Sequence, residues 1–323
     1  MKSKTLKIIA LILIAAIIIG GIIAVYIWEN SGPEYPSVID YESDYIEYDG
    51  VEYKLRKNVE TVLVMGLDKF EENIENDSYN NDQQSDFLML LVIDHENKTC
   101  SAIHINRDTM AKINVLGIGG KKVGTVTQQI ALAHTYGEGG AESARNVAKA
   151  VSMLLCGIPI SHYAAITMDA VALLNDAVGG VAVTVLDDMT KFDSALVEGE
   201  TVTLMGEQAL YYVRHRYGLD DSTNASRMER QRQYLNALYL KLTEKLKSDE
   251  DFSMSTLVDM SEFITASDMS IASMDKLIDS IEEYDVSDIH TYTGTTRVTE
   301  HIEFYANEDS IKELVTKLMY KPK

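Results

Sequence analysis

The chain has 323 residues, 46% of them hydrophobic, and a formal net charge of -21. That is enough apolar material for the core of one large domain or two small ones. The acidity, with no basic stripe outside one short segment, excludes a protein that wraps nucleic acid.

Lys2, Lys4 and Lys7 precede an uncharged run from Ile8 to Trp28, about 21 residues, which as a helix spans a bilayer. Lysines before this run and Glu29, Glu34 and Asp40 after it orient the chain with its N-terminus inside. A cleavable signal peptide is the rival, but the run is long and no A-x-A site follows it. The expectation is therefore an uncleaved anchor (residues 1–28), with everything after Trp28 outside the cytoplasm. Residues 29–58 hold two of the four prolines, several tyrosines and many acids without helical period, and read as a stalk.

The folded part is expected from Val59 to the end, 59–323. Thr61 to Asp68 is a short apolar run ending in Gly-Leu-Asp, as a strand carrying a carboxylate at its tip would look. Glu71 to Gln84 is a polar loop. Ser85 to Asp94 is apolar on both faces, which suits a central strand covered on both sides. Thr99 to Asn106 is a further strand that delivers Arg107 and Asp108. Gly117 to Gly124 reads as flexible, and Gln128 to Tyr136 as a helix stopped by Gly137. A helix over Ala141 to Leu155, a strand over His162 to Thr167, a helix over Asp169 to Ala177 and a strand over Val181 to Leu186 follow. Gly206 to Val213 is a short helix, and a longer one starts at Ser226 with Met228, Leu235, Leu238, Leu242 and Leu246 as its apolar stripe. A helix over Asp275 to Glu283, a strand pair (Ile289 to Thr293, His301 to Tyr305) and a last helix (Ser310 to Leu318) finish the chain. This alternation predicts an α/β fold, a three-layer α/β/α sandwich around a central mixed sheet. Cys100 and Cys156 are expected as buried free thiols.

Arginine is scarce and clustered. Of nine arginines, Arg214, Arg216, Arg227, Arg230 and Arg232 fall between Val213 and Gln233. A knot of planar, bidentate donors in an anionic chain points to an anion site rather than to solubility. On a helix, Arg227 and Gln231 lie about 40° apart at the edge of the apolar stripe and should face a half-buried pocket. Arg230 and Arg232 fall about 100° to either side and read as surface residues. Asp68, Asp86 and Asp108 sit at expected strand ends, where they are either turn residues or a shared site. Oxygen ligands without a His or Cys cluster suit Mg2+, with Mn2+ as the alternative. A hard cation beside several arginines is equipment for phosphate or pyrophosphate. His104 and His134 are isolated and read as structural, and the methionines as core filler.

Taken in order, the motifs resemble the LytR-CpsA-Psr (LCP) family of membrane-anchored bacterial cell-wall enzymes. They are G-L-D at Gly66 to Asp68, S-D at Ser85-Asp86 and N-R-D-T-M at Asn106 to Met110. V-G-G-V at Val178 to Val181, G-E-Q-A-L-Y-Y-V-R-H-R at Gly206 to Arg216 and R-M-E-R-Q at Arg227 to Gln231 complete the set. The resemblance implies transfer of a glycopolymer from a polyprenyl-pyrophosphate carrier to a peptidoglycan acceptor. It implies that Asp68 and Asp86 hold magnesium and that Arg107, Arg214, Arg216, Arg227 and Gln231 grip the pyrophosphate. Asp108 would orient the arginines, and the lipid tail would lie in an apolar tunnel. The chain departs from the family pattern at Phe70 and Gln84, each in place of arginine, and at Asn224, in place of aspartate. Those departures leave open a catalytically impaired polyprenyl-phosphate-binding or regulatory protein, and a lipid pyrophosphatase, with water in place of the sugar acceptor, is a further alternative.

Overall fold

A computed structural model describes residue 39 and residues 44–56, 59–68, 83–215, 224–249, 252–270 and 284–323. The apolar run at 8–28 and the expected helix at 275–283 lie outside these residues. No helix among the described residues is long and apolar enough to cross a membrane.

The frame is a six-stranded mixed sheet. Its strands are β3 (Val59–Leu67), β4 (Ser85–Asp94), β5 (Thr99–His104), β8 (His162–Thr167), β11 (Ile264–Ser267) and β12 (Asp285–His290), in the order β11-β8-β3-β4-β5-β12. β3 and β4 are antiparallel neighbours at its centre, and β8 runs parallel to β3. Side chains alternate across the pleat into two cores. Val62, Val64, Met89 and Leu91 face one; Leu63, Met65, Leu88 and Leu90 face the other. The first core is closed by helices α2 (Ala170–Ala177), α3 (Glu207–Arg214), α4 (Asn224–Ser248) and α5 (Phe252–Met260). The second is closed by α1 (Gly140–Leu154), a 3-10 turn over Ile130–Tyr136 and α6 (Glu308–Met319). Helices on both faces explain why β4 is apolar on both sides. β9 (Val181–Thr184) and β10 (Thr201–Leu204) pair separately.

Several expectations are corrected. The segment read as a stalk carries β1 (Tyr45–Tyr48) and β2 (Val51–Leu55), an antiparallel hairpin whose second strand pairs with β15 (Tyr320–Pro322). Asp49 and Gly50, with φ of 51° and 72°, form its turn, the left-handed pair that two-residue hairpins favour. The glycine-rich stretch read as flexible is the tip of a second hairpin, β6 (Met110–Leu116) with β7 (Lys122–Gln129). Gln128 and Gln129 belong to β7, so only 3-10 structure follows before Gly137. β12 does not pair with the strand near Tyr305; it adds parallel to β5, while β13 (Gly294–Val298) pairs with β14 (Ile302–Ala306). Cys100 and Cys156 are both free, but Cys156 is exposed.

Candidate active site

The site lies at the end of the sheet where β3 finishes and β4 starts. Gly66 pairs with Phe87 and Leu67 with Ser85, so Asp86 is the extra residue of a β-bulge. A bulge re-aims its side chain. Asp86, which would otherwise share the face of Leu88, turns instead toward α4 and meets Arg227 at 3.6 Å. Gly66 makes room: a Cβ there would lie 2.9 Å from the Phe87 Cβ and 3.3 Å from the Met168 Cγ. Asp68 follows directly from β3, its amide bonded to the Gln84 carbonyl.

Three arginines converge on this pair of carboxylates. Arg107 donates to Asp86 Oδ1 and to Gln84 Oε1, and Arg214 donates to Asp68 Oδ1 at 3.1 Å. Arg227 is only 3% exposed, and Asn224 anchors it from one turn earlier on α4. Burial raises the Asp68 pKa, and the neighbouring Asp86 raises it further, against the pull of Arg214 and Arg107. Among the described residues no cluster of three or more His, Cys, Asp or Glu could hold a metal ion. Two facing carboxylates still fit Mg2+, which is bound through one or two carboxylates plus substrate phosphates and waters.

Asp108 is 1% exposed. Its Oδ1 sits 3.6 Å from Arg107 Nε and accepts from Gln129 Nε2 at 3.4 Å, so it backs Arg107 from below the cleft. Gln231 is also buried, and its amide donates to the Val213 carbonyl at 2.9 Å. Arg216 lies outside the described residues. Arg230, expected at the surface, is fully buried. It donates to the carbonyls of Tyr212 and His215 and to Asp187, bolting α4 to the end of α3. Arg232 is half-buried. His104 and His134 are buried and held neutral by that burial, with pKa values pushed down to about 3 and about 4.

Asn106 opens the N-R-D-T-M motif, but the sequence reading gives it no role in the site. Its Oδ1 accepts from the Asp108 amide and from Asn224 Nδ2, tying the loop that carries Arg107 to the first turn of α4. Its place in that motif, immediately before Arg107-Asp108, was the signal in the sequence.

Two hollows are lined here by residues that neighbour one another in the chain. A polar cleft is lined by Asp68, Asp86, Arg107, Arg214 and Arg227. Behind it lies an apolar cavity of about 110 Å³ between the sheet and α4, lined by residues such as Phe87, Met89, Ile166, Tyr234 and Leu238. Val213 and Gln231 stand on its wall, next to Arg214 and one turn from Arg227.

The LytR_cpsA_psr family model matches residues 36–320. The chain belongs to this family. Among its relatives, "Polyisoprenyl-teichoic acid--peptidoglycan teichoic acid transferase TagU" of Halalkalibacterium halodurans is 29% identical over 178 residues, 55% of this chain and 51% of that protein. "Biofilm regulatory protein A" of Streptococcus mutans is 26% identical over 247 residues, 74% of this chain and 57% of that one. The chain spans about half the length of these relatives. The solved structure titled "TagT bound to LIIa-WTA" superposes with a TM-score of 0.58 at 24% identity, covering 81% of this chain and 90% of that one. "LytR-CPS2A-psr family protein YwtF (TagT) with bound octaprenyl pyrophosphate lipid" gives 0.54 at 23%, covering 81% and 89%. At that identity the likeness shows the LCP fold.

Proposed function

We propose that this LCP-family protein is an extracytoplasmic phosphotransferase that moves a glycopolymer from a polyprenyl-pyrophosphate carrier onto peptidoglycan. The observation that carries this reading is an arginine-lined cleft beside an apolar cavity, the two lined by chain neighbours such as Asp86 and Phe87 or Arg214 and Val213. A ligand with an anionic head and an apolar tail matches that pair of hollows. The relatives named as teichoic acid transferases, and the likeness to a structure titled with bound octaprenyl pyrophosphate, support it.

Arg107, Arg214 and Arg227 would bind the pyrophosphate oxygens, and Asp68 and Asp86 would hold Mg2+. The cation would supply further charge neutralisation at those oxygens. An acceptor sugar hydroxyl attacks the phosphorus nearer the glycan, the pyrophosphate P–O bond breaks, and polyprenyl phosphate leaves. The fixed arginines stabilise the charge that grows on the bridging and terminal oxygens. Of the carboxylates able to take the hydroxyl proton, Asp86 lines the cleft while Asp108 is buried behind Arg107. The cavity, about 110 Å³, is of the order of the roughly 150 Å³ that accommodates benzene, so a long prenyl chain requires its walls to open. We place the chain in the cell membrane through residues 8–28, with its N-terminus cytoplasmic.

The test is an incubation of the full chain in nanodiscs with a lipid-pyrophosphate glycan, peptidoglycan oligomer and Mg2+. Transfer that fails across several glycans counts against the reading. Phosphate-containing products formed without peptidoglycan point to the pyrophosphatase, and lipid binding without turnover to the impaired binder.

A further inference from the structure

The hairpin of β6 and β7 differs in charge from the rest of the chain. From Met110 to Gln129 it carries three lysines, Lys112, Lys121 and Lys122, and no Asp or Glu, in a protein with a formal net charge of -21. All three lysines are exposed. At the apex Ile118 is 91% exposed, and Val123 just beyond it is 70% exposed. The turn that presents them is fixed. Gly119 and Gly120 take φ of 68° and 71°, a region glycine enters without steric cost. The Gly120 amide donates to the Gly117 carbonyl at 3.1 Å, and the Gly117 amide to the Lys121 carbonyl at 2.8 Å. Glu142, at the start of α1, lies against the apex, its Cδ 2.9 Å from where a Cβ on Gly120 would stand. It offsets one lysine and leaves the hairpin cationic.

An exposed isoleucine or valine by itself is an ordinary surface residue. Set beside lysines on an otherwise anionic protein, the two match one partner, a bilayer surface that contains anionic lipid. Apolar side chains enter the headgroup boundary there, and lysines meet the lipid phosphates. A soluble acidic polymer would satisfy the lysines and leave Ile118 in water. The same bilayer repels the acidic remainder of the surface, so the hairpin selects which face approaches. Its root is the wall of the cleft: Gln129, at the end of β7, donates to Asp108 Oδ1 at 3.4 Å, and Asp108 backs Arg107. The seven residues of β6 carry the apex about 20 Å from that root.

We infer that the apex of the β6–β7 hairpin, through Ile118, Val123, Lys121 and Lys122, docks on an anionic bilayer surface. Docking there sets the height of the phosphate cleft above the lipid headgroups. The inference rests on the membrane placement proposed above and is independent of phosphotransfer.

The full chain in nanodiscs tests this, with the exposed thiol removed by Cys156→Ser and a fluorescent dye placed on Val123→Cys. The discs are phosphatidylcholine alone or phosphatidylcholine with phosphatidylglycerol, each with a headgroup-level spin-labelled lipid as quencher. The dye should be quenched strongly on the anionic discs and weakly on the neutral ones. Each lysine near an anionic surface contributes about fivefold to the docked-to-free ratio. Lys121→Ala with Lys122→Ala should therefore lower that ratio about 25-fold, while Lys121→Arg with Lys122→Arg should preserve it. Ile118→Ser, at a position with nothing to unpack, should lower it about tenfold. Quenching that is absent on anionic discs, unmoved by the paired alanines or unmoved by Ile118→Ser overturns the inference. A dye that responds to peptidoglycan fragments but is not quenched by lipid also overturns it, and makes the partner a soluble wall polymer. A chain that does not enter the discs overturns the membrane placement, and the docking with it.

Discussion

Asn224 Oδ1 accepts hydrogen bonds from both Nε and Nη2 of Arg227, at 3.0 and 2.5 Å. The other end of the same amide donates to Asn106 Oδ1 at 2.6 Å. Asn224 thus does two jobs at once: it fixes the Arg227 fork without neutralising its charge, and it joins α4 to the loop of Arg107. Asn224→Asp keeps the first job but sets an oxygen against Asn106 Oδ1. Turning the Asn106 amide over does not relieve this, because the same oxygen accepts from the Asp108 amide. The substitution should destabilise by about 1–3 kcal/mol, the usual cost of a buried polar group left unmatched. In a domain of this size that is a fall of about 2–4 °C in Tm per kcal/mol. A Tm that stays level or rises refutes the two-sided role of the amide.

Arg227→Ala should weaken lipid-pyrophosphate binding about ten- to hundred-fold, given about 1.5–3 kcal/mol for a hydrogen bond to a charged group. Arg232 does not line the cleft, so Arg232→Ala should leave affinity within about threefold. Titration of both variants with bare polyprenyl pyrophosphate decides it. Similar losses from both would remove α4 from the site.

Arg230→Met removes the donors to Tyr212, His215 and Asp187 from a fully buried position. Breaking a buried pair from one side typically costs about 3–5 kcal/mol. Chemical denaturation should show a loss of that size. A loss below about 0.5 kcal/mol, the range of ordinary surface substitutions, would show that the bolt carries no stability.

At the opposite end of the sheet, Glu60 bonds two imidazoles, His95 Nε2 at 2.8 Å and His162 Nε2 at 3.2 Å. His162 Nδ1 reaches Asp268 at 2.8 Å, and His95 Nδ1 reaches the Tyr284 hydroxyl at 2.8 Å. Burial alone would lower the His162 pKa, but its hydrogen bonds to Asp268 and Glu60 push it up to about 9. Burial likewise raises Glu60, and the bonds from His162 and His95 bring it below its ordinary value of 4.5. The signs are opposite. His162 stabilises fully below its unfolded pKa of 6.5, and this is lost as pH rises through about 9. Glu60 stabilises above 4.5, and this is lost as pH falls through its lowered folded pKa. Tm should fall as pH is raised from 6.5 to about 9, and His162→Gln should flatten that limb. A wild-type Tm that is constant over this range refutes the clamp.

What the sequence disclosed depended on how local the cause was. β8 and the first helices could be read because hydrophobic period and glycine stops lie within each segment. The arginine and aspartate motifs could be placed at strand ends because each follows its own strand directly. Arg230 could not be read: its partners are carbonyls 15 and 18 residues earlier and an aspartate 43 residues away, which no helical wheel displays. The bulge at Asp86 was equally hidden, since only the pairing with β3 reveals the extra residue. β2 was lost in an acidic, tyrosine-rich stretch because its second neighbour, β15, comes from the far end of the chain. The Asp49-Gly50 pair is a local turn signal for that hairpin.

The seam between β2 and β15 has a mechanical meaning. Leu55 pairs with Tyr320 and Tyr53 with Pro322, while Arg56 grips the carbonyls of Lys317 and Leu318 and the Asp94 carboxylate. Asp94 and Asp86 lie toward opposite ends of β4, about 26 Å apart at the usual rise per residue. Tension arriving from the segment before Ile39 is therefore borne first by its two-bond bridge to Ile160 and then by the β1-β2-β15 ladder and the Arg56 anchor. Under the proposed anchoring through residues 8–28, a tug on that leash would strain the hem of the fold and spare the arginine-lined cleft.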